Sequence, residues 1–167
     1  MKNVRSSLNF NLDLSLQPSP IRPLLRKLIV RGLAAVGART AVSHAISRNG
    51  EELVIGRRRY DLRRYEHVVV VGAGKATASM AQAVEQRLGS RLHGGFVVVK
   101  HGHVVPTKRI VVAEAGHPVP DRFGLQAAAR LSAMAAELGR RDLLIVLLSG
   151  GASSLLPAPV AGITLAD

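Results

Sequence analysis

A lysine set directly behind two glycines, and a second glycine pair flanked by serines, are the residues of this sequence best suited to chemistry. The first stretch is VVVVGAGKATASM, Val68 to Met80, and the second is LLSGGASSLLPAP, Leu147 to Pro159. Each opens as an apolar run and breaks into glycine where a strand should give way to a helix. Glycine lets a backbone approach a phosphate closely, and a helix start offers unpaired amides and a positive dipole end. Lys75 adds a compact cation with three donors. Gly72, Gly74 and Lys75 therefore ask for an anion, a phosphate or a carboxylate. The second loop, Ser149-Gly150-Gly151-Ala152-Ser153-Ser154, offers amides in a nest-like geometry together with the hydroxyls of its serines. Between the two lies Gly116-His117-Pro118-Val119-Pro120-Asp121, a turn stiffened by its prolines. Asp121 is placed to cap the helix that follows, and His117 to contact a substrate.

The spacing excludes several familiar sites. A P-loop requires glycine at Val69 and a hydroxyl at Ala76. A dinucleotide fingerprint requires a third glycine where Thr77 stands and an acid near the end of the next strand, which ends instead in Lys100. The run SGGASS does not match the GxSxG elbow of a serine hydrolase. His101 and His103 form an HxH pair, but no third ligand lies nearby in sequence, so no protein-held metal is expected.

Elements must hold these loops at one edge. His67 to Val71 is a continuous β-branched run, the mark of a strand buried on both faces. Lys75 to Leu88 reads as a helix with Met80, Ala83, Val84 and Leu88 inward. Gly95 to Val99 and Ile110 to Ala113 are short apolar strands, Asp121 to Leu138 an alanine-rich helix, and Asp142 to Leu148 a fourth strand. This rhythm predicts an α/β fold, a doubly wound and mainly parallel Rossmann-like sheet, with sites at the carboxyl ends of its strands. Glu52 to Leu62 is short, basic and mixed, and reads as a small hairpin or a loop.

Composition sets the remaining bounds. The 167 residues are 47% hydrophobic and suffice for one domain with a sizeable core. Aromatics are only 3%, so Val, Leu, Ile and Ala must fill that core. The absence of cysteine removes disulfides, thiolate nucleophiles and iron–sulfur ligation, and is compatible with the cytoplasm. No apolar run approaches the roughly 20 residues that span a bilayer. The basic residues behind the net charge of +12 crowd toward the amino-terminal side, as Arg22, Arg26, Lys27, Arg31, Arg57, Arg58, Arg59, Arg63 and Arg64. Aromatic platforms for unpaired bases are nearly lacking there, so nucleic acid is not the expected partner. A solvated face, or a surface for an acidic partner, accounts for the charge. Residues 1–20 read as a flexible extension, with Leu12, Leu14 and Leu16 alternating against polar neighbours. The arginine-rich, acid-poor segment up to Ser47 has transit-peptide composition, but Ile21 to Arg48 reads better as the domain's first helix, with Leu24, Leu25, Leu28 and Ile29 on one face.

Together, VVGAGKATASM, EAGHPVPDRFG and LLSGGASSLLPAPVAGITLAD resemble, in order, the amino-terminal domain of the two-domain glycerate 2-kinase family. Its second part is the MOFRL domain, and some of its members are labelled hydroxypyruvate reductase. The resemblance covers roughly Pro20 to Asp167. It implies ATP-dependent phosphorylation of glycerate to 2-phosphoglycerate with a divalent metal, usually Mg2+, in a cleft between the domains. It matches Lys75 to the family's functional lysine, Ser149 to Ser154 to its glycine-rich loop, and Gly116 to Asp121 to its GHPxPD segment. The family's members are longer, and its second domain carries a further functional arginine. Residues 21–167 are therefore expected to form part of the amino-terminal domain, inactive alone and prone to associate with itself. A nicotinamide-dependent reductase and a non-catalytic sugar-phosphate-binding module are the alternatives.

Overall fold

The computed structural model describes residues 20–167, so the extension expected over residues 1–20 lies outside the described residues except for Pro20. Two helices come first, α1 (Arg22–Ala35) and α2 (Ala38–Ala45), followed by the strands β1 (Ile46–Asn49), β2 (Glu52–Ile55) and β3 (Arg58–Asp61). The three strands form an antiparallel sheet in the order β1-β2-β3. This corrects one expectation and meets another. Ile21 to Arg48 is not one helix: the chain turns extended at Gly37, which has ψ near 136°, and Ile46 to Asn49 leaves the helix to pair with β2. Glu52 to Leu62 is the expected hairpin, β2 against β3 with Leu53↔Tyr60 in register, and β1 extends it to a third strand through Ile46↔Ile55, with Ile46 and Leu53 buried.

A four-stranded parallel sheet carries the rest: β4 (His67–Ala73), β5 (Gly94–Lys100), β6 (Ile110–Ala115) and β7 (Asp142–Leu148), in the order β6-β5-β4-β7. Helix α3 (Thr77–Leu88) connects β4 to β5, and α4 (Arg122–Ala136) connects β6 to β7; the single turn α5 (Ala152–Leu155) follows β7. The doubly wound α/β expectation holds. Period-two alternation sends Val68, Val70, Val97, Ile145 and Leu147 toward α3, where they meet Ala81, Val84 and Leu88 in one core. The alternate residues Ala73, Phe96, Val98 and Ala115 face α4 and α5 in a second core with Ala127 and Leu155. β4 and β5 are buried on both faces, as their unbroken apolar runs require.

Glu85 ties α3 to the segment before β6: its carboxylate accepts hydrogen bonds from the backbone amides of Lys108, Arg109 and Ile110. Helix α1 buries no residue, and Leu24, Leu25, Leu28 and Ile29, expected on an inner face, are all exposed, because within the described residues α1 touches little beyond α2. No helix of the described residues is long and apolar enough to cross a membrane. Much of the basic charge on the small sheet is internally matched, with Arg59 paired to Glu52 and Arg63 to Asp61.

Candidate functional site

The carboxyl ends of β4 and β7, adjacent strands in the sheet, bring the two glycine loops into direct contact. Gly72 lies so near β7 that a Cβ there would stand 2.2 Å from the Leu147 carbonyl oxygen. At Gly74, with φ near 134°, a Cβ would meet Ser149 Oγ at 2.1 Å. Only glycine fits either position. Hydrogen bonds lock the loops together: Ser149 N–H donates to the Ala73 carbonyl at 3.1 Å, and Lys75 N–H to the Gly150 carbonyl at 3.0 Å.

This clasp changes how the first loop can act. The amides at the start of α3, expected to be unpaired, are already used. Ala76 N–H donates to Ser149 Oγ at 3.1 Å, Thr77 N–H to the Gly74 carbonyl at 3.1 Å, and Gly74 N–H to the Val98 carbonyl at 3.0 Å. Ser149 thus caps α3 instead of presenting its hydroxyl, and shares that oxygen with the buried Thr77 hydroxyl at 3.2 Å. Sequence reasoning treated Thr77 only as the missing third glycine; its burial against Ser149 became visible only once β7 was seen beside β4. The first loop contributes a side chain. Lys75 is exposed, and no carboxylate or carbonyl among the described residues pairs with its ammonium group.

The free backbone donors lie in the second loop. The amides of Gly150 and Gly151 find no acceptor among the described residues. Gly151 adopts φ near 94°, and a Cβ there would meet the His117 ring at 2.6 Å, so the third loop reaches the second through this contact. The Ser154 hydroxyl donates to the Gly151 carbonyl at 3.2 Å, while Ser153 is exposed. Lys75, Gly72, Gly74, Gly150, Gly151, Ser153 and His117 therefore gather at one edge. Ser149 and Ser154 brace it.

Asp121 caps α4, accepting from Gly124 N–H at 2.9 Å, as its position before that helix suggested. It also bonds His101 Nε2 at 3.0 Å. Burial opposes ionisation of Asp121, but hydrogen bonds from Gly124, His101 and Gly116 outweigh it and hold its carboxyl below the usual carboxylate range. His103 Nδ1 lies 3.2 Å from the Lys75 carbonyl. The HxH pair thus bridges the first and third loops instead of sharing a ligand. Among the described residues no group of three His, Asp or Glu side chains could hold a metal ion. Mg2+ commonly keeps its waters and takes one or two carboxylates. Asp121 is already hydrogen-bonded on both oxygens, so these residues do not fit a resident Mg2+ site.

Comparison with known proteins gives this arrangement a context. The model of a domain of unknown function, DUF4147, matches residues 24–167. A "Glycerate 2-kinase" of Pyrococcus horikoshii is 31% identical over 147 residues, 88% of this chain and 32% of its own length. A protein of Agrobacterium vitis, named provisionally as a hydroxypyruvate reductase, is 50% identical over 99 residues, 59% of this chain and 26% of its own. The crystal structure of a glycerate kinase from Thermotoga maritima superimposes with a TM-score of 0.69 at 30% identity, covering 89% of this chain and 33% of that one. This chain spans about a third or less of the length of these relatives.

Proposed function

The chain belongs to the DUF4147 family, and we propose that it forms the amino-terminal part of an ATP-dependent glycerate 2-kinase, which converts glycerate to 2-phosphoglycerate. One observation carries this reading: backbone hydrogen bonds hold the loop of Lys75, whose ammonium is unpaired, against the loop with the free amides of Gly150 and Gly151, at the carboxyl edge of a parallel sheet. A cation and two donors held by backbone hydrogen bonds suit an anion without having to rearrange. Phosphoryl transfer asks for little else, since positioning and electrostatics supply most of its catalysis. Lys75 would neutralise phosphoryl or carboxylate charge, Gly150 and Gly151 would donate to the same oxygens, and Ser153 and His117 would line the approach. A divalent metal would arrive with the nucleotide, since the described residues do not provide its ligands. The remaining two thirds of the relatives' length would supply the opposite wall of the cleft. The 167 residues alone are therefore expected to form no ADP from ATP and glycerate.

A nicotinamide-dependent reductase is the second reading, raised only by the name of the Agrobacterium vitis relative. Against it, the start of α3 is closed by Thr77 and Ser149, where a pyrophosphate would have to approach the amides. Thermal unfolding of the chain separates the two. Inorganic phosphate, ATP or glycerate should raise Tm, by up to about 2.7 kcal/mol of added stability at a hundred times Kd, and NADH should not. A saturable shift with NADH as large as that with ATP overturns the kinase reading.

A further inference from the structure

The loop after β5 supplies groups that the anion site leaves unused. It lies between the loops of β4 and β6, and four contacts fix it. His101 N–H donates to the Ala115 carbonyl at 3.3 Å, Gly102 N–H to Glu114 Oε1 at 2.6 Å, His101 Nε2 meets Asp121, and His103 Nδ1 meets the Lys75 carbonyl. The carbonyl of Lys75 can only accept, so His103 spends its Nδ1 proton on backbone. His101 differs because its partner is a carboxylate, itself anchored by Gly124 N–H. An ionised Asp121 can only accept, so the proton of neutral His101 sits on Nε2 and Nδ1 keeps its lone pair. Phe123 meets the imidazole edge-on, with ring centroids 6.0 Å apart, and restrains its tilt. A histidine with one nitrogen bound to a carboxylate and the other free has its tautomer and ring orientation set for accepting a proton at the free nitrogen.

We propose that His101, oriented by Asp121, is the general base that accepts the proton of the acceptor hydroxyl. This rests on the kinase reading above. In the step, the O–H bond of the hydroxy acid breaks and its proton passes to His101 Nδ1. The alkoxide oxygen forms a bond to the γ-phosphorus of the nucleoside triphosphate. The bond from that phosphorus to the bridging oxygen breaks, and its electron pair leaves with the nucleoside diphosphate. The imidazolium then releases its proton to water. Lys75 holds charge, and His101 moves the proton.

The test uses the 167-residue chain with 15N-labelled histidine, His101→Gln to assign its signals, and D-glycerate as probe. His101 should show an Nε2-protonated ring, and glycerate should shift its Nδ1 resonance upfield, as a nitrogen accepting a hydrogen bond does. Propanoate, with the same carboxylate and no hydroxyl, should leave that resonance in place. Asp121→Asn, which keeps an oxygen for the cap of α4, should mix the two tautomers and reduce the glycerate-induced shift at least severalfold. If glycerate moves the amides of Gly150 and Gly151 but not His101 Nδ1, or moves His103 instead, the general-base proposal fails and the anion site stands. If glycerate moves neither the amides nor His101, the site reading fails and the proposal falls with it.

Discussion

The two faces of β7 are built from one apolar run and end in opposite environments. Ile145 and Leu147 lie under α3 and are buried to within 7% of full enclosure. Leu144, Val146 and Leu148, interleaved with them, are 36%, 54% and 64% exposed. A strand without polar alternation is written for cover on both sides. Here α3 supplies one cover, while α4 and α5 lie over β5 and β6 and stop short of β7. The comparison teaches that residue type reports the environment a strand is suited to, and topology decides whether the described residues provide it.

The sharpest way to break the pairing of β7 with β4 is to widen it. In Gly72→Ala the new methyl would meet the Leu147 carbonyl, which belongs to the neighbouring backbone and cannot rotate away. The strands must part, and a loss of about 3 kcal/mol is expected, the upper end of the range for overpacking. Gly150→Ala is the control, since nothing lies within 4 Å of a Cβ there. Urea unfolding of both variants measures the difference. Equal midpoints would mean that the glycine loops do not approach as closely as described.

The two faces can also be compared by one chemistry applied to neighbours. Leu147→Ala should cost about 3 kcal/mol, because it opens a cavity against α3. Leu148→Ala should change stability by less than about 0.5 kcal/mol, as an exposed position does. Leu148→Ser should weaken any concentration-dependent self-association seen by light scattering, since it shrinks the exposed apolar patch. If Leu148→Ala costs as much as Leu147→Ala, both faces are covered in solution.

The same distinction marks what was legible in the sequence. β7 was read from Asp142 to Leu148, its observed bounds, because β-branched and leucine runs bounded by glycine have few alternatives. β1 was not, because Ile46-Ser47-Arg48-Asn49 has no strand signal of its own and is a strand only through pairing with Glu52 to Ile55. At the site, the gathering of Lys75, Gly150 and His117 followed from the rule that ligands bind at strand carboxyl ends. The division of labour between the loops did not. Local reasoning assigned the free amides to the start of α3, and only the contact with Ser149, 73 residues away in sequence, shows them occupied. The His101–Asp121 pair was hidden for the same reason: its partners sit on different loops.

Lys75 lets binding be separated from packing at the clasped edge. Lys75→Met keeps an unbranched stem and removes the ammonium. Stability should change by less than about 0.5 kcal/mol, since the side chain is exposed and makes no described pair. Affinity for phosphate should fall about tenfold, the worth of one charge-assisted hydrogen bond near 1.5 kcal/mol. In a protein of the relatives' full length, the loss of charge opposite the transferring group should cost about 3 kcal/mol, a hundredfold or more in kcat. Isothermal titration beside a thermal melt distinguishes the outcomes, and a variant that loses binding only by unfolding would make Lys75 a structural residue.

The smallest effect concerns the opposite, amino-terminal edge of the same two strands, where β4 and β7 begin in register as His67↔Asp142. There Asp142 accepts from Gly139 N–H at 2.7 Å and bonds His67 Nδ1 at 2.8 Å. The bond from Gly139, with the contact to His67 second, holds the carboxyl of Asp142 below its ordinary value of 3.8. The folded chain therefore binds this proton less readily than the unfolded chain. The resulting stability is fully present above the unfolded value and is lost as pH falls below it, through the folded value. Asp142→Asn should be slightly less stable than the native chain at pH 7, and the two should converge as the pH is taken well below 3.8. Urea midpoints of both proteins between pH 3 and pH 8 measure this directly. A gap that stays constant with pH would mean that Asp142 acts as a cap for the turn at Gly139 through its shape alone, and that its charge does nothing for the pairing of β4 with β7.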